Sequence, residues 1–474
     1  MVFRVPRAGV LRNWSAPFMA RFADSLREIR PTLTLAAPIV VGQVSQMLMG
    51  VLDSAMIGHA GTVPLAASAF ANNVFNLFFV FGIGLMIPVA IFVSRARGAR
   101  QPGEALEYLR HGIALAVGCG LVETLLMAGL VTQLHRFDQP PEVLAIVTPF
   151  YLLYAASLTP TLVQIALRQF AEAMGHPWAP MVITLGSVAL NALLNWVFIF
   201  GHLGVPAMGL TGAGVATLVA RVAGMAGIYW WLCRHDGIRI DLGGRALRSL
   251  GGAGWWRGYS RVRWTEMLQI GLPAAGMLLF ETTAFAFSGI MMGWLGSVPL
   301  AAHQIGISCA SLAFMFPLGL SMAAGMRVSH VVGAGERDRL RPIGFGALGL
   351  GLVVMLGFAA AFGLAGRTIA GWFVTDGAVI VLAAQLLLVG AFFQLADGVQ
   401  VIAAHLLRGI SDVKLPTLIT LAAYWGIALP LGYLIGVRGP LGAPGIWIGI
   451  AGGLAFAAVF LTVRFMRLTR SAGA

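Results

Sequence analysis

Four carboxylates sit where the chain is otherwise apolar: Asp53, Glu123, Glu281 and Asp397. Asp53 lies in the stretch MLMGVLDSAMIG, Met47 to Gly58, and no other charged residue falls between Arg30 and Arg95. An ionised carboxylate in hydrocarbon costs at least ~2.5 kcal/mol on insertion scales, so such residues by default mark the path of an ion, a proton or a substrate. Polar company recurs at helical spacing. Gln46, Gly50, Asp53 and Ile57 share one face, as do Glu281, Phe285, Ser288 and Met292. Gln394 and Gln400 flank Asp397, Asn191 and Asn195 stand four apart with Ser187 one turn earlier, and Asn72, Asn73 and Asn76 cluster. Such amides serve either as interhelical glue or as part of an ion or substrate network, and spacing alone leaves both open. Glu123 has only Thr124 beside it and reads equally well as a structural acid. His303, in AAHQI, reads as a packing residue. The chemistry this set can do is to hold, exchange and release a cation.

The elements that must position these groups are membrane-spanning helices. Of 474 residues, 58% are hydrophobic and only 10% charged, with a mean hydropathy of +0.86; soluble domains carry about 25% charged residues. Apolar runs long enough to cross a bilayer fall at about 32–58, 65–93, 111–134, 145–168, 178–201, 209–233, 265–294, 300–330, 343–373, 378–407, 415–436 and 443–463. The runs are continuous and do not alternate, which predicts twelve helices rather than barrel strands. The net charge of +13 does not point to nucleic acid. With both termini in the cytoplasm, only Arg136, Arg367 and Arg438 fall outside and Arg221 lies within a span, the asymmetry expected of cytoplasmic loops. The basic stretch from Arg234 to Arg263 reads as a topology signal beside anionic lipid. Cys119, Cys233 and Cys309 make no metal or disulfide pattern, and no cleaved signal peptide precedes the first span. The single lysine, Lys414, is followed by Leu415, which excludes a GxxxxGK[ST] loop; HExxH, CxxC and GxSxG are also absent. No enzyme and no cofactor is expected, and the energy must come from an ion gradient or the membrane potential.

The chain repeats itself. MIGHAGTVPLAA at 56–67 returns as MMGWLGSVPLAA at 291–302, an offset of 235 that holds without a gap from Pro38/Pro273 to Ala99/Ala334 with 18 identities in 62 positions. APMVITL at 179–185 matches LPTLITL at 415–421. The expected organisation is an N-terminal six-helix lobe (1–233), a basic cytoplasmic linker (234–264) and a C-terminal six-helix lobe (265–474). Six helices return the chain to the same side, so the repeats are parallel, a transporter plan with a central cleft between two bundles. Gln46 maps onto Glu281 and Asp53 onto Ser288. The halves therefore use one helix face but put their charge at different levels.

The motifs together resemble the multidrug and toxic compound extrusion (MATE) transporters, and most closely their bacterial NorM-type branch. VLDSAMIGH resembles the first-helix motif with its Asp, LLFETTAFAFSGIMMGWLG the seventh-helix motif with its Glu, and LADGVQVIAAHLLRGISD the tenth-helix motif with its Asp. AAHQI with FMFPLGLSMAAGMRVSHVVGAG resembles the eighth helix, and LNWVFIFGHLG the fifth. The resemblance implies a monomeric twelve-helix exporter in the bacterial inner membrane that moves small organic cations and drugs against Na+ or H+. It implies Asp53 as the N-lobe acid beside Asn191 and Asn195, and Glu281 with Asp397 as the C-lobe cation site. One departure is Phe393, where relatives with a tyrosine in that site carry it, so a cation there loses an oxygen ligand. The retained C-lobe acids favour Na+. The competing class is a lipid or oligosaccharide flippase, which needs arginines in the cleft; among mid-span positions only Arg221 offers one.

Overall fold

The structure, a computed structural model, describes residues 12–137, 140–241 and 258–470. Among these the regular structure is all helical, and twelve helices are long and apolar enough to span a membrane. They are α1 (Asp24–Ala60), α2 (Thr62–Gly98), α3 (Pro102–Gln133), α4 (Pro141–Ala173), α5 (Trp178–Phe200) and α6 (Gly209–Arg234), then α7 (Arg261–Leu295), α8 (Ser297–Ala334), α9 (Arg337–Gly371), α10 (Gly377–Gly409), α11 (Lys414–Val437) and α12 (Ala443–Leu468). Most of the expected linker lies outside the described residues, which resume at Gly258. Side chains such as Leu125, Val353 and Leu364 point outward, 69%, 65% and 90% exposed, as hydrocarbon-facing residues must where lipid rather than protein covers them.

The helices outrun the apolar segments that announce them. The first two and the seventh to tenth are 33 to 38 residues long, against roughly 20 needed to cross. Their extra turns carry the arginines and acids of the basic side. The eleventh departs from regular geometry: Ala422–Ala428 and Tyr433–Val437 form wider π-helical turns, a distortion that frequently accompanies functional sites.

The duplication is visible in the backbone. The joint between α1 and α2 is Gly61 at φ +136°, and that between α7 and α8 is Gly296 at φ +121°; a side chain is disfavoured in this region, which explains the glycine at both. After α2 the turn passes through Arg100 at φ +56°, and after α8 through Gly335 at φ +77°. The halves meet through the same pairs of positions read in both directions. A Cβ on Gly84 would strike Ala275, and one on Gly319 would strike Val40. A Cβ on Gly98 would lie 2.0 Å from the carbonyl of His330, and one on Gly333 lies as close to that of Arg95. Each residue of the first member of a pair is 235 positions from its counterpart in the second. The small residues thus let α2 and α8 cross backbone to backbone around the pseudo-twofold axis.

Hydrogen bonds between the halves gather at this same end. Ser329 Oγ donates to the Ile91 carbonyl at 2.8 Å, Arg95 to Ser411 Oγ at 2.7 Å, and Tyr108 Oη to Glu266 Oε2 at 2.6 Å. Beyond the level of Val40 and Gly319 the halves diverge around a cavity of about 780 Å³.

Candidate functional site

The α1 wall of that cavity carries Asp53. Asn195 of α5 donates its amide to Asp53 Oδ1 at 2.5 Å and to Asn191 Oδ1 at 3.3 Å, while Asn191 donates to Thr217 Oγ1 of α6 at 3.5 Å. Both asparagines are fully buried. Their i, i+4 spacing puts them one above the other on the face that α5 turns to α1 and α6. One turn beyond Thr217, Arg221 donates to Ser157 Oγ at 2.6 Å, and its guanidinium lies 4.7 Å from the ring of Phe75 and 4.9 Å from that of Tyr154. Tyr154 Oη in turn donates to Asn72 Oδ1 at 2.7 Å. The positive field of Arg221 reaches Asp53. This wall therefore holds one carboxylate in a ready-made amide cradle with a cation behind it.

The opposite wall belongs to α7 and α10. Glu281 and Asp397 both line the cavity, and each stands within the other's electrostatic reach. Asp397 Oδ1 has no protein hydrogen-bond partner although the residue is 4% exposed. The Tyr424 hydroxyl, on the first π-helical segment of α11, donates to Gln400 Oε1 at 3.0 Å and lies beside Glu281. Arg408, on the last turn of α10, is 3% exposed. It donates to Met277 Sδ at 3.2 Å and to His405 Nε2 at 3.2 Å, its Nε has no partner, and its field reaches Glu281. Two carboxylates, an amide oxygen and a phenol thus converge from three helices. This is a hard-oxygen donor set of the kind that suits an alkali cation.

Several sequence expectations need correcting. Gln46, Asp53, Glu281, Phe393 and Asp397 do line the cavity. Ser288 does not: it is fully buried and donates to the Phe285 carbonyl at 2.7 Å. It shares the face of Glu281 but lies about 10 Å further along the helix. Gln394 points instead at α8, where its amide donates to the Ala310 carbonyl at 3.4 Å. Asn191 and Asn195 stand beside Asp53 as expected, behind it and off the cavity surface. Phe393 packs edge-on against Phe285, with centroids 6.1 Å apart.

The expectation that Arg221 is the only arginine available to the cleft fails. Arg168 and Arg408 line the cavity as well. Both looked like exposed helix-end residues because the apolar runs stop there, but α4 continues to Ala173 and the last turn of α10 is itself packed inside the protein, so both arginines are buried. Arg168 pairs at 3.7 Å with Glu172, a further buried acid that lies past the end of the apolar run. Glu123 is 3% exposed, away from the cavity, and accepts from Cys119 Sγ at 3.3 Å, which accords with the structural-acid reading. His303 packs against Trp447, whose indole N–H it accepts at 3.1 Å. The contributions of Arg408 and Tyr424 could not be read from spacing. The one available signal was the basic residue of HLLRG, one position past the end of an apolar run whose acid lies eleven earlier.

Methionines and phenylalanines complete the cavity, among them Met47, Met49, Phe79, Phe285, Phe314 and Met315. Its size falls within the range of small-molecule sites, and flexible Met and aromatic walls accept varied apolar shapes.

Comparison with known proteins agrees with this architecture. The MatE family profile matches residues 38–197 and again 273–434, so each half carries one copy. The chain is 34% identical to the probable multidrug resistance protein NorM of Mesorhizobium japonicum, over 96% of this chain and 97% of that one. It is 32% identical to the multidrug resistance protein NorM of Burkholderia vietnamiensis, over 98% of each. Among solved structures it superposes with a TM-score of 0.84 on an outward-facing multidrug resistance MATE family transporter of the MOP superfamily, at 20% identity over 96% of this chain and 99% of that one. A mutant of the Vibrio cholerae MATE transporter VcmN gives 0.84 at 20% identity, over 95% and 98%. With a profile match in both halves and relatives matching end to end, the chain belongs to the MatE family of multi-pass membrane transporters.

Proposed function

We propose that this protein exports small organic cations and drugs across the bacterial inner membrane in exchange for Na+, by alternating access of the central cavity. One observation carries the reading: Asp53 and the Glu281–Asp397 pair face a single Met- and Phe-lined cavity from opposite halves. A drug cation and a coupling ion therefore compete for one negative potential. The names of the NorM relatives support drugs as the cargo. The oxygen donors around Asp397 support Na+, and protons can use the same carboxylates. The arginine asymmetry supports cytoplasmic termini. The working unit is a monomer of two lobes, 1–233 and 265–474, joined by the basic linker, with no enzymatic step and no resident cofactor.

A second reading has an observation of its own. Arg168, Arg221 and Arg408 all line the cavity, which weakens the sequence argument against a lipid or oligosaccharide flippase. Loaded proteoliposomes separate the two. Export of an ethidium-like cation driven by an imposed, oppositely directed Na+ gradient supports the antiporter. Absence of that flux, together with movement of an anionic lipid probe, transfers the reading to the flippase.

A further inference from the structure

We infer that two bidentate ion pairs, Arg263–Glu104 and Arg339–Glu28, form a charge-reversed clasp that holds the two halves together at the arginine-rich end and so biases the protein towards the state seen here. The pairs are related by the internal repeat: Glu28 maps onto Arg263 and Glu104 onto Arg339, both at the offset of 235. The backbone supports extending the repeat this far. Arg100 and Gly335 make equivalent positive-φ turns, and α3 and α9 begin at the equivalent positions Pro102 and Arg337.

The geometry repeats as well. Arg263 donates Nε and Nη2 to the two oxygens of Glu104 at 3.2 and 2.8 Å. Arg339 donates the same two atoms to the two oxygens of Glu28 at 2.9 and 3.3 Å. Only the signs are exchanged. The N-terminal half supplies both acids and the C-terminal half both bases, so each pair crosses between the halves. Arg327 of α8 adds a further bond to Glu28.

Local helix stability does not account for the two arginines. Arg263 stands in the first turn of α7 and Arg339 at the start of α9. Both are helix N-termini, where the macrodipole disfavours a cation. Each gains instead from a carboxylate on the other half. Planar, side-on pairing of this kind fixes orientation as well as adding energy. The pairs are partly wet, with the arginine side chains 24% and 47% exposed. Their contribution is accordingly modest, up to about fivefold per pair in the closed-to-open ratio, and falls with salt. A weak, reversible clasp is what a cycling interface needs, since a dry pair would lock it. The inference holds whichever ion drives transport.

The test uses two reporter cysteines in a full-length chain carrying Cys119→Ala, Cys233→Ala and Cys309→Ala. Ser329→Cys lies in the closed interface, fully buried against α2. Ser311→Cys lies in the cavity. Maleimide labelling is measured for each in detergent and in vesicles. Glu104→Arg should raise labelling at 329 several-fold and lower it at 311, and adding Arg263→Glu should return both to the starting values. On the unaltered clasp, 1 M salt should shift both sites in the same directions, which keeps the inference testable if Glu104→Arg expresses poorly. Unchanged labelling on breaking the pair overturns it. So does a rise at both sites together, which marks general loosening, or a charge swap that folds and melts normally but fails to restore the pattern.

Discussion

The two walls of the cavity descend from one duplicated sequence, yet they hold charge in different ways. On α1, Asp53 Oδ1 already has a donor: the Asn195 amide is bonded to it and to Asn191, Asn191 donates to Thr217, and the field of Arg221 reaches the acid, while Asn195 Oδ1 has no protein partner. On α7 and α10, two carboxylates stand in each other's field, that of Arg408 reaches Glu281, and Asp397 keeps a buried oxygen without a protein partner. The comparison teaches that the repeat conserves backbone and leaves chemistry free to diverge. The glycine contacts between α2 and α8 recur in both directions, while Gln46 corresponds to Glu281 and Asp53 to a buried serine that never reaches the cavity. A wall whose acid already holds an amide donor suits a group that exchanges a bound cation or proton by breaking one contact. A wall with excess negative charge and an open oxygen suits an ion that must be captured.

The largest effect that can break this contrast comes from Arg408. With both acids ionised, Arg408→Leu removes the buried cation whose field reaches Glu281 and leaves the repulsion between Glu281 and Asp397 less compensated; the loss is at most the about 3–5 kcal/mol of a broken buried pair. Thermal unfolding in Na+-free detergent should show a drop of this order. Added Na+ should recover more stability in the variant than in the wild type, because the ion replaces the lost charge. A variant as stable as wild type without Na+ would remove Arg408 from the account.

Next in size is the Na+ response itself. Binding to the folded state adds about 2.7 kcal/mol at 100-fold over Kd. Glu281→Gln and Asp397→Asn should each erase most of that gain, while Asp53→Asn should retain it and still lose export. If Asp53→Asn also loses the Na+ response, the two walls do not divide the work. Asn195→Ala should act on the other wall alone. It removes the amide donated to Asp53, a bond to a charged group worth about 1.5–3 kcal/mol, and should change drug export while leaving Na+ stabilisation intact.

Much of this was legible in the sequence for identifiable reasons. Hydrocarbon demands long apolar runs, so the number of helices follows from composition. The cost of a buried charge makes Asp53, Glu281 and Asp397 stand out, and the repeat shows how they are distributed. Legibility ended where the apolar runs ended. Arg168, Glu172 and Arg408 sit at or just past the ends of the hydrophobic stretches, and whether such a residue meets water or protein depends on how far the helix continues and what packs on it. Ser288 and Gln394 failed for a different reason: helical phase gives the angle around the axis but neither the depth nor the neighbour. Tyr424 lies in a stretch whose π-helical turns no periodicity announces.

That tyrosine supplies the smallest test. On the proposed cation site, the phenol beside Glu281 would replace the oxygen that Phe393 does not provide. Tyr424→Phe should weaken Na+ stabilisation by about 0.5–1.5 kcal/mol, the net contribution of one hydrogen bond, and Phe393→Tyr introduced into that variant should restore part of it. A double variant no better than Tyr424→Phe alone would show that the two positions do not reach the same ion.

In the proposed cycle, drug and ion compete for one negative cavity from opposite walls. The most direct measurement of this competition is the affinity of the purified protein for an ethidium-like cation, titrated against Na+ at fixed pH and against pH without Na+. Because coupling between two ligands is reciprocal, the account predicts that Na+ weakens drug binding and drug weakens Na+ binding by the same factor, and that Glu281→Gln with Asp397→Asn abolishes both effects. Weakening on acidification alone would assign the coupling to protons. Drug affinity indifferent to both Na+ and pH would contradict the account.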